Sequence, residues 1–139
     1  MEAIKYVKAE DRVEIPVTAA NGHGLQLDRL RGEWVNTNGA SQGIVKVAID
    51  IRGPKLVVRA YGACDPTPCD WGEAEADCIY SNSISSGLAA GFTAWYRFDF
   101  SETHLQANWN QGLLVLASFT TFKDGSKRSN YFSREFFHQ

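Results

Sequence analysis

From Phe92 to Trp109 apolar and polar side chains alternate so regularly that a half-buried hairpin is the natural reading. A turn at Ser101-Glu102 sets Phe100 opposite Thr103, Phe98 opposite Leu105, Tyr96 opposite Ala107 and Ala94 opposite Trp109 on one face. The other face then carries Asp99 with His104, Arg97 with Gln106, and Trp95 with Asn108. A slip of one residue would mix the two faces, so the pattern selects its own pairing.

The same period of two runs on either side. Ile44 to Ile51 puts Val45, Val47, Ile49 and Ile51 against Lys46 and Asp50, and Arg52-Gly53-Pro54-Lys55 is a turn. Leu56 to Tyr61 returns with Leu56, Val58 and Ala60 opposite Val57, Arg59 and Tyr61. After the hairpin, Asn110-Gln111-Gly112 reads as a three-residue loop that carries the apolar face on through Leu113, Val115, Ala117 and Phe119. Asp124-Gly125 is a short hairpin signal, and its register adds Asn130, Phe132, Arg134 and Phe136 to that face. Between these regular stretches, residues 62–91 hold a Pro-rich cysteine loop, Asp70-Trp71-Gly72, a strand near Glu75 to Tyr80 and a Ser-rich loop. Upstream, Val13 to Val17 alternates, but Pro16 demotes it to an edge or lead-in. Asn21-Gly22-His23-Gly24 is a turn, and Leu25 to Leu30 is either one helical turn or an extended approach.

About eight strands joined mostly by short turns, with no useful amphipathic helix, define an all-β class. An antiparallel up-and-down meander of this kind is expected to close into a barrel, which removes its exposed edges. Residues 1–29 form an N-terminal arm or lead-in, and residues 30–139 the β-barrel domain.

Composition narrows the function. The 139 residues fit one domain, and a net charge of −2 without a Lys/Arg run argues against a nucleic-acid partner. No apolar run approaches the roughly 20 residues of a membrane span. The first residues lack the apolar stretch of a signal peptide, so a cytoplasmic protein is expected. Cys64 and Cys69 flank Asp65-Pro66-Thr67-Pro68, a stiff loop that closes a small ring if oxidised; in a reducing cytosol both are expected as free thiols, with Cys78 a buried small hydrophobe. One Cys-x4-Cys without a second pair is no zinc signature, so neither a metal nor another cofactor is expected.

Gly32-Glu33-Trp34 heads the strands. Gly32 would allow a turn or a close approach to a neighbour, and Trp34 would plug the end of whatever the strands enclose. The last strand would bring Arg134 back across it, a cation on an indole face worth about 1 kcal/mol. With the meander, this Gly32-x-Trp34 and last-strand Arg134 resemble the calycin superfamily of lipocalins, fatty-acid-binding proteins and avidins. Gly32-x-Trp34-x-Asn36 is similar to the opening of an avidin. The resemblance covers the layout of residues 30–137, and it implies a barrel with one open mouth and a ligand inside.

The candidate sites follow from this picture. Tyr96, Phe98, Phe100, Trp109, Phe132 and Arg134 either line a ligand cavity or fill the barrel; Trp34 and Arg134 form the barrel-end plug. Asp70 and Trp71 make a rim loop or a plain loop anchor, and no residue is assigned as catalytic. His104 facing Asp99 is either a proton carrier or a solvated cross-strand pair. The expected function is binding of a small, largely apolar molecule inside the barrel. The alternatives are a barrel cyclase or isomerase acting on a hydrophobic substrate, for which Tyr96, His104 and Glu135 are the only residues offered as an acid, and a protein- or carbohydrate-binding module using the loops at residues 62–72 and 81–91. An outward face carrying Trp95 and Val57 leaves room for a homodimer.

Overall fold

A computed structural model describes residues 6, 8–12 and 24–139. Its described strands are β1 (Gly32–Asn36), β2 (Ile44–Arg52), β3 (Lys55–Gly62), β4 (Cys69–Glu75), β5 (Cys78–Ser81), β6 (Ala89–Arg97), β7 (Ser101–Asn110), β8 (Leu113–Phe122) and β9 (Tyr131–His138). All pair antiparallel in one nine-stranded sheet of order β4-β3-β2-β1-β9-β8-β7-β6-β5. The first strand therefore pairs with the last. The hydrogen-bonded ladder stops at β4 and β5, which do not pair with each other although only Ala76 and Asp77 separate them in the chain. Here the chain changes partners: Ala76 N donates to Leu56 O at 2.8 Å, and Asp77 N to Thr93 O at 2.7 Å. The strand expected near Glu75 to Tyr80 is thus the junction of two.

The alternation in β2 and β3 resolves as the sequence indicates except at Val45, which a bulge between Ile44 and Lys46 leaves unpaired while Ile44 is buried. Val47, Ile49, Leu56, Val58 and Ala60 are buried, while Asp50 is exposed and Arg59 and Tyr61 lie on the opposite face. Gly53, at φ +63°, takes the left-handed turn between them. The β6–β7 hairpin keeps its expected faces with a different pairing: Tyr96 lies opposite Thr103, Ala94 opposite Leu105, and Phe92 opposite Ala107. The turn is Asp99-Phe100, because Arg97 pairs with Glu102 and Phe98 N donates to Ser101 O at 2.8 Å. Moving the turn back by two residues shifts each partner by four, an even number, and leaves every side chain on its original face. His104 consequently meets Trp95, with ring centroids 4.1 Å apart, and not Asp99.

In β8 and β9 the expected inward face is corrected. The β7–β8 connection is a two-residue turn, Gln111-Gly112, with φ of +51° and +86°. Two positive φ angles match the twist of the flanking strands, and the two-residue loop wins over the three-residue reading. One residue fewer reverses the face. Leu114, Leu116, Ser118 and Thr120 point to the core, and Val115 and Phe119 point away from it. Phe119, Phe132, Arg134 and Phe136 do share one face as expected, but that face is the outer one: Phe132 is 61% exposed. Nor is Asp124-Gly125 a tight hairpin. Residues 123–130 form a loop in which Asp124 accepts from Ser126 N at 3.0 Å and pairs with Arg128 at 2.8 Å.

The core reaches into the supposed lead-in. Leu27 and Leu30 are buried beside and within a single 3-10 turn, Asp28–Leu30, and Gln26 bridges to Leu88. Trp34, 1% exposed, donates its indole N–H to Leu30 O at 3.0 Å. The cation lying on an indole at this end is Arg29 over Trp109, 4.5 Å from the ring centroid. Arg134 is not the plug; it sits exposed on the outer face opposite Ala117, while Trp34 is in the core. Gly32, at φ +121°, lies so close to Gln139 that an added Cβ would meet its Nε2 at 2.5 Å. Val13–Val17 and Asn21–His23 lie outside the described residues.

Candidate functional site

The core-facing side of the sheet is divided by chemistry. Around Trp34 it is aliphatic and aromatic, with Val47, Ile49, Leu105, Leu114 and Phe137 packed together. Farther along β7, β8 and β9 the same face turns to hydroxyls and a carboxylate: Thr103, Ser118, Thr120, Ser133 and Glu135. Thr103 and Thr120 hydroxyls meet at 2.9 Å, Ser118 and Ser133 at 2.7 Å, and Ser41 donates to Glu135 Oε1 at 2.7 Å. Hydroxyls placed where aliphatic groups would pack are tolerated only when paired, and these are paired with one another.

The β1–β2 connection completes the polar end. Asn36 is buried, donates to Ile44 O at 2.9 Å and accepts from Asn38 N at 2.8 Å. Ser41 Oγ also accepts from Gly43 N at 3.1 Å, which fixes the hydroxyl that faces Glu135. These residues open onto a cleft of about 500 Å³ with Trp71 and Tyr131 on its rim. A second cleft of about 370 Å³ adjoins it, sharing Trp71, Thr120 and Tyr131 and adding Phe98, Phe100 and Arg128.

Trp71 is held between the two by a local irregularity. The β3–β4 register skips Ala60, where β4 bulges through Gly72 at φ +83°. The Tyr96 hydroxyl, reaching over from β6, fills the gap: it accepts from Ala60 N at 3.0 Å and donates to Gly72 O at 2.7 Å. Tyr96 and Phe98 meet Trp71 edge-on, with centroids 5.4 and 5.5 Å away. Burial pushes the Tyr96 hydroxyl above its ordinary pKa, so it remains a neutral donor. The Arg59 guanidinium grips Asp70 through Nε and Nη2 and, with the Gly72 N–H, holds its carboxyl below the usual range. Asp70 and Trp71 thus belong to a braced strand rather than to a free rim loop.

The loop before it is closed covalently. Cys64 and Cys69 form a disulfide, with Cα atoms 5.5 Å apart, and are not the free thiols expected; Cys78 is free and buried as expected. Cα atoms at this separation lie within the range that a disulfide spans.

The sequence-derived ligand set is therefore split. Phe98 and Phe100 line the smaller cleft with Trp71 and Asp70, and Tyr96 is buried against Trp71. Trp109 packs with Arg29 at the far end, Phe132 stacks on Phe119 at 5.7 Å on the outer face, and Arg134 is exposed there. Ser118, Thr120 and Ser133 were missed because their face was inverted by the loop count, Glu135 was singled out only as an acid for the enzyme alternative, and Ser41 lies outside any strand pattern. Among the described residues, no three His, Cys, Asp or Glu side chains gather as a metal site, and no helix is long and apolar enough to cross a membrane. No protein-family model, curated protein or solved structure matches the chain.

Proposed function

We propose that the protein binds a small amphipathic molecule in the cleft between Trp71 and Glu135. The observation that carries this reading is the paired hydroxyl row on the core-facing side, ending in the Glu135 carboxylate. A packed core gains nothing from that row, whereas a ligand with N–H or O–H donors finds acceptors already oriented. Glu135 has no cationic partner among the described residues, so a donor-rich or cationic group would complete it. The Trp71 and Phe98 rings offer the apolar part of the ligand a wall. The ligand is thus more polar than the largely apolar molecule expected from the sequence.

In this proposal the sheet curls into a calycin-like barrel. The hand-over at Ala76-Asp77, from β3 to β6, and the Tyr96 link from β6 to the β3–β4 bulge support that curvature. Binding is tested by native mass spectrometry of protein purified without denaturation, together with fragment screening by thermal shift. A co-purified mass or a stabilising fragment is expected for the wild type and is lost in Glu135→Gln. A wild type that stays empty and gains no stability from any donor-bearing fragment refutes the reading.

A further inference from the structure

Arg134 lies on the opposite face of the sheet from the Glu135 cleft. Its guanidinium is exposed, has no ion-pair or hydrogen-bond partner among the described residues, and is the single charge lining a groove of about 520 Å³. The groove runs across the outer face from β5 to β9. Its floor is low because Gly91 and Ala117 carry little or no side chain. At Gly91 nothing larger fits, since an added Cβ would meet Ala107 O at 2.6 Å. Arg134 apart, the lining is uncharged and mixes amides and hydroxyls with apolar groups such as Trp109 and Val115. Gln106 and Asn108, two apart on β7, project to one side, and the half-exposed Tyr80 ring stands at the β5 end.

We infer that this groove binds an oligosaccharide bearing a hexuronate carboxylate. A guanidinium presents a planar fork that matches one carboxylate in bidentate fashion. Carboxamides both donate and accept, which suits vicinal sugar hydroxyls that do the same. An exposed Tyr ring covers the apolar C–H face of a pyranose while its hydroxyl stays wet. A phosphate-rich ligand would call for more than one cation. This groove supplies a single positive charge and several neutral hydrogen-bonding groups.

The test titrates the full chain with a galacturonate trimer, a neutral galactose trimer and acetate, following backbone amide shifts by NMR. The galacturonate trimer is expected to shift residues 80–82, 91–93 and 106–108 and to bind more tightly than the neutral trimer. Arg134→Gln is expected to weaken it roughly tenfold or more, without changing the melting temperature. Ala117→Leu, which raises the floor, should weaken both trimers. Equal affinity for the charged and neutral trimers, an Arg134→Gln variant that binds as well as wild type, or acetate binding as tightly as the trimer would each overturn the inference. No shift at millimolar trimer would do so too. Because the groove and the Glu135 cleft occupy opposite faces, failure here leaves the cleft untouched, and Glu135→Gln should not alter trimer binding.

Discussion

The Tyr96 hydroxyl is the atom on which the cleft's geometry turns, because it satisfies backbone groups on two strands that do not pair with its own. Removing it in Tyr96→Phe strands the Ala60 N–H and the Gly72 carbonyl, at a cost of about 1–3 kcal/mol measurable by urea unfolding. The same hydroxyl gives a pH signature. Burial raises its folded pKa, so the unfolded chain releases the proton first. The contribution is intact below about pH 10 and is lost as pH rises through the folded value. Tyr96→Phe should therefore unfold with a shallower alkaline decline than wild type. At Gly91 the obstacle is backbone and cannot swing aside, so Gly91→Ala should lower the melting temperature, whereas Ala substitution at open positions such as Gly39 lacks that clash.

At the level of elements, the length of one turn decides which side of two strands faces the core. Gln111-Gly112 buries Leu114, and Leu114→Ala should cost about 2–5 kcal/mol. The longer loop would have buried Phe132 instead; its outward position makes Phe132→Ser cost only about 0.5 kcal/mol or less. Chemical denaturation of the two variants separates the alternatives. This turn also marks the limit of what the residues disclose. Alternation groups Phe119, Phe132, Arg134 and Phe136 correctly on one side, yet alternation cannot say which side is inside when both carry apolar groups. The β6–β7 faces were readable because their polar side is unambiguous. The Cys64–Cys69 bridge was legible only as the oxidised alternative, since the spacing allows the ring but does not fix the redox state of its thiols. Reducing it, or replacing both residues by Ser, should lower stability by about 2 kcal/mol through the freed loop.

At the scale of the whole molecule, the sheet assembles two chemistries on one face. Trp34, Leu30 and Phe137 make the dry end, and Ser118, Thr120, Ser133 and Glu135 the wet end. The dry end was legible from Gly32-x-Trp34 and its helical turn was one of two readings of Leu25 to Leu30, but the Arg29–Trp109 stack depends on tertiary proximity between residues 80 positions apart. The wet end depends on the corrected face of β8 and β9. If the hydroxyls serve a ligand rather than the fold, replacing Thr103 and Thr120 together by Val should leave stability unchanged or higher while abolishing fragment binding. The most direct measurement is therefore a fragment titration by amide and indole NMR, using small molecules that carry a cyclic urea, an amide or an ammonium group. The account predicts shifts that cluster at residues 41–43, 118–120 and 133–135 and at the Trp71 indole, and that vanish in Glu135→Gln. Shifts that avoid these residues, or that persist unchanged in Glu135→Gln, would contradict it.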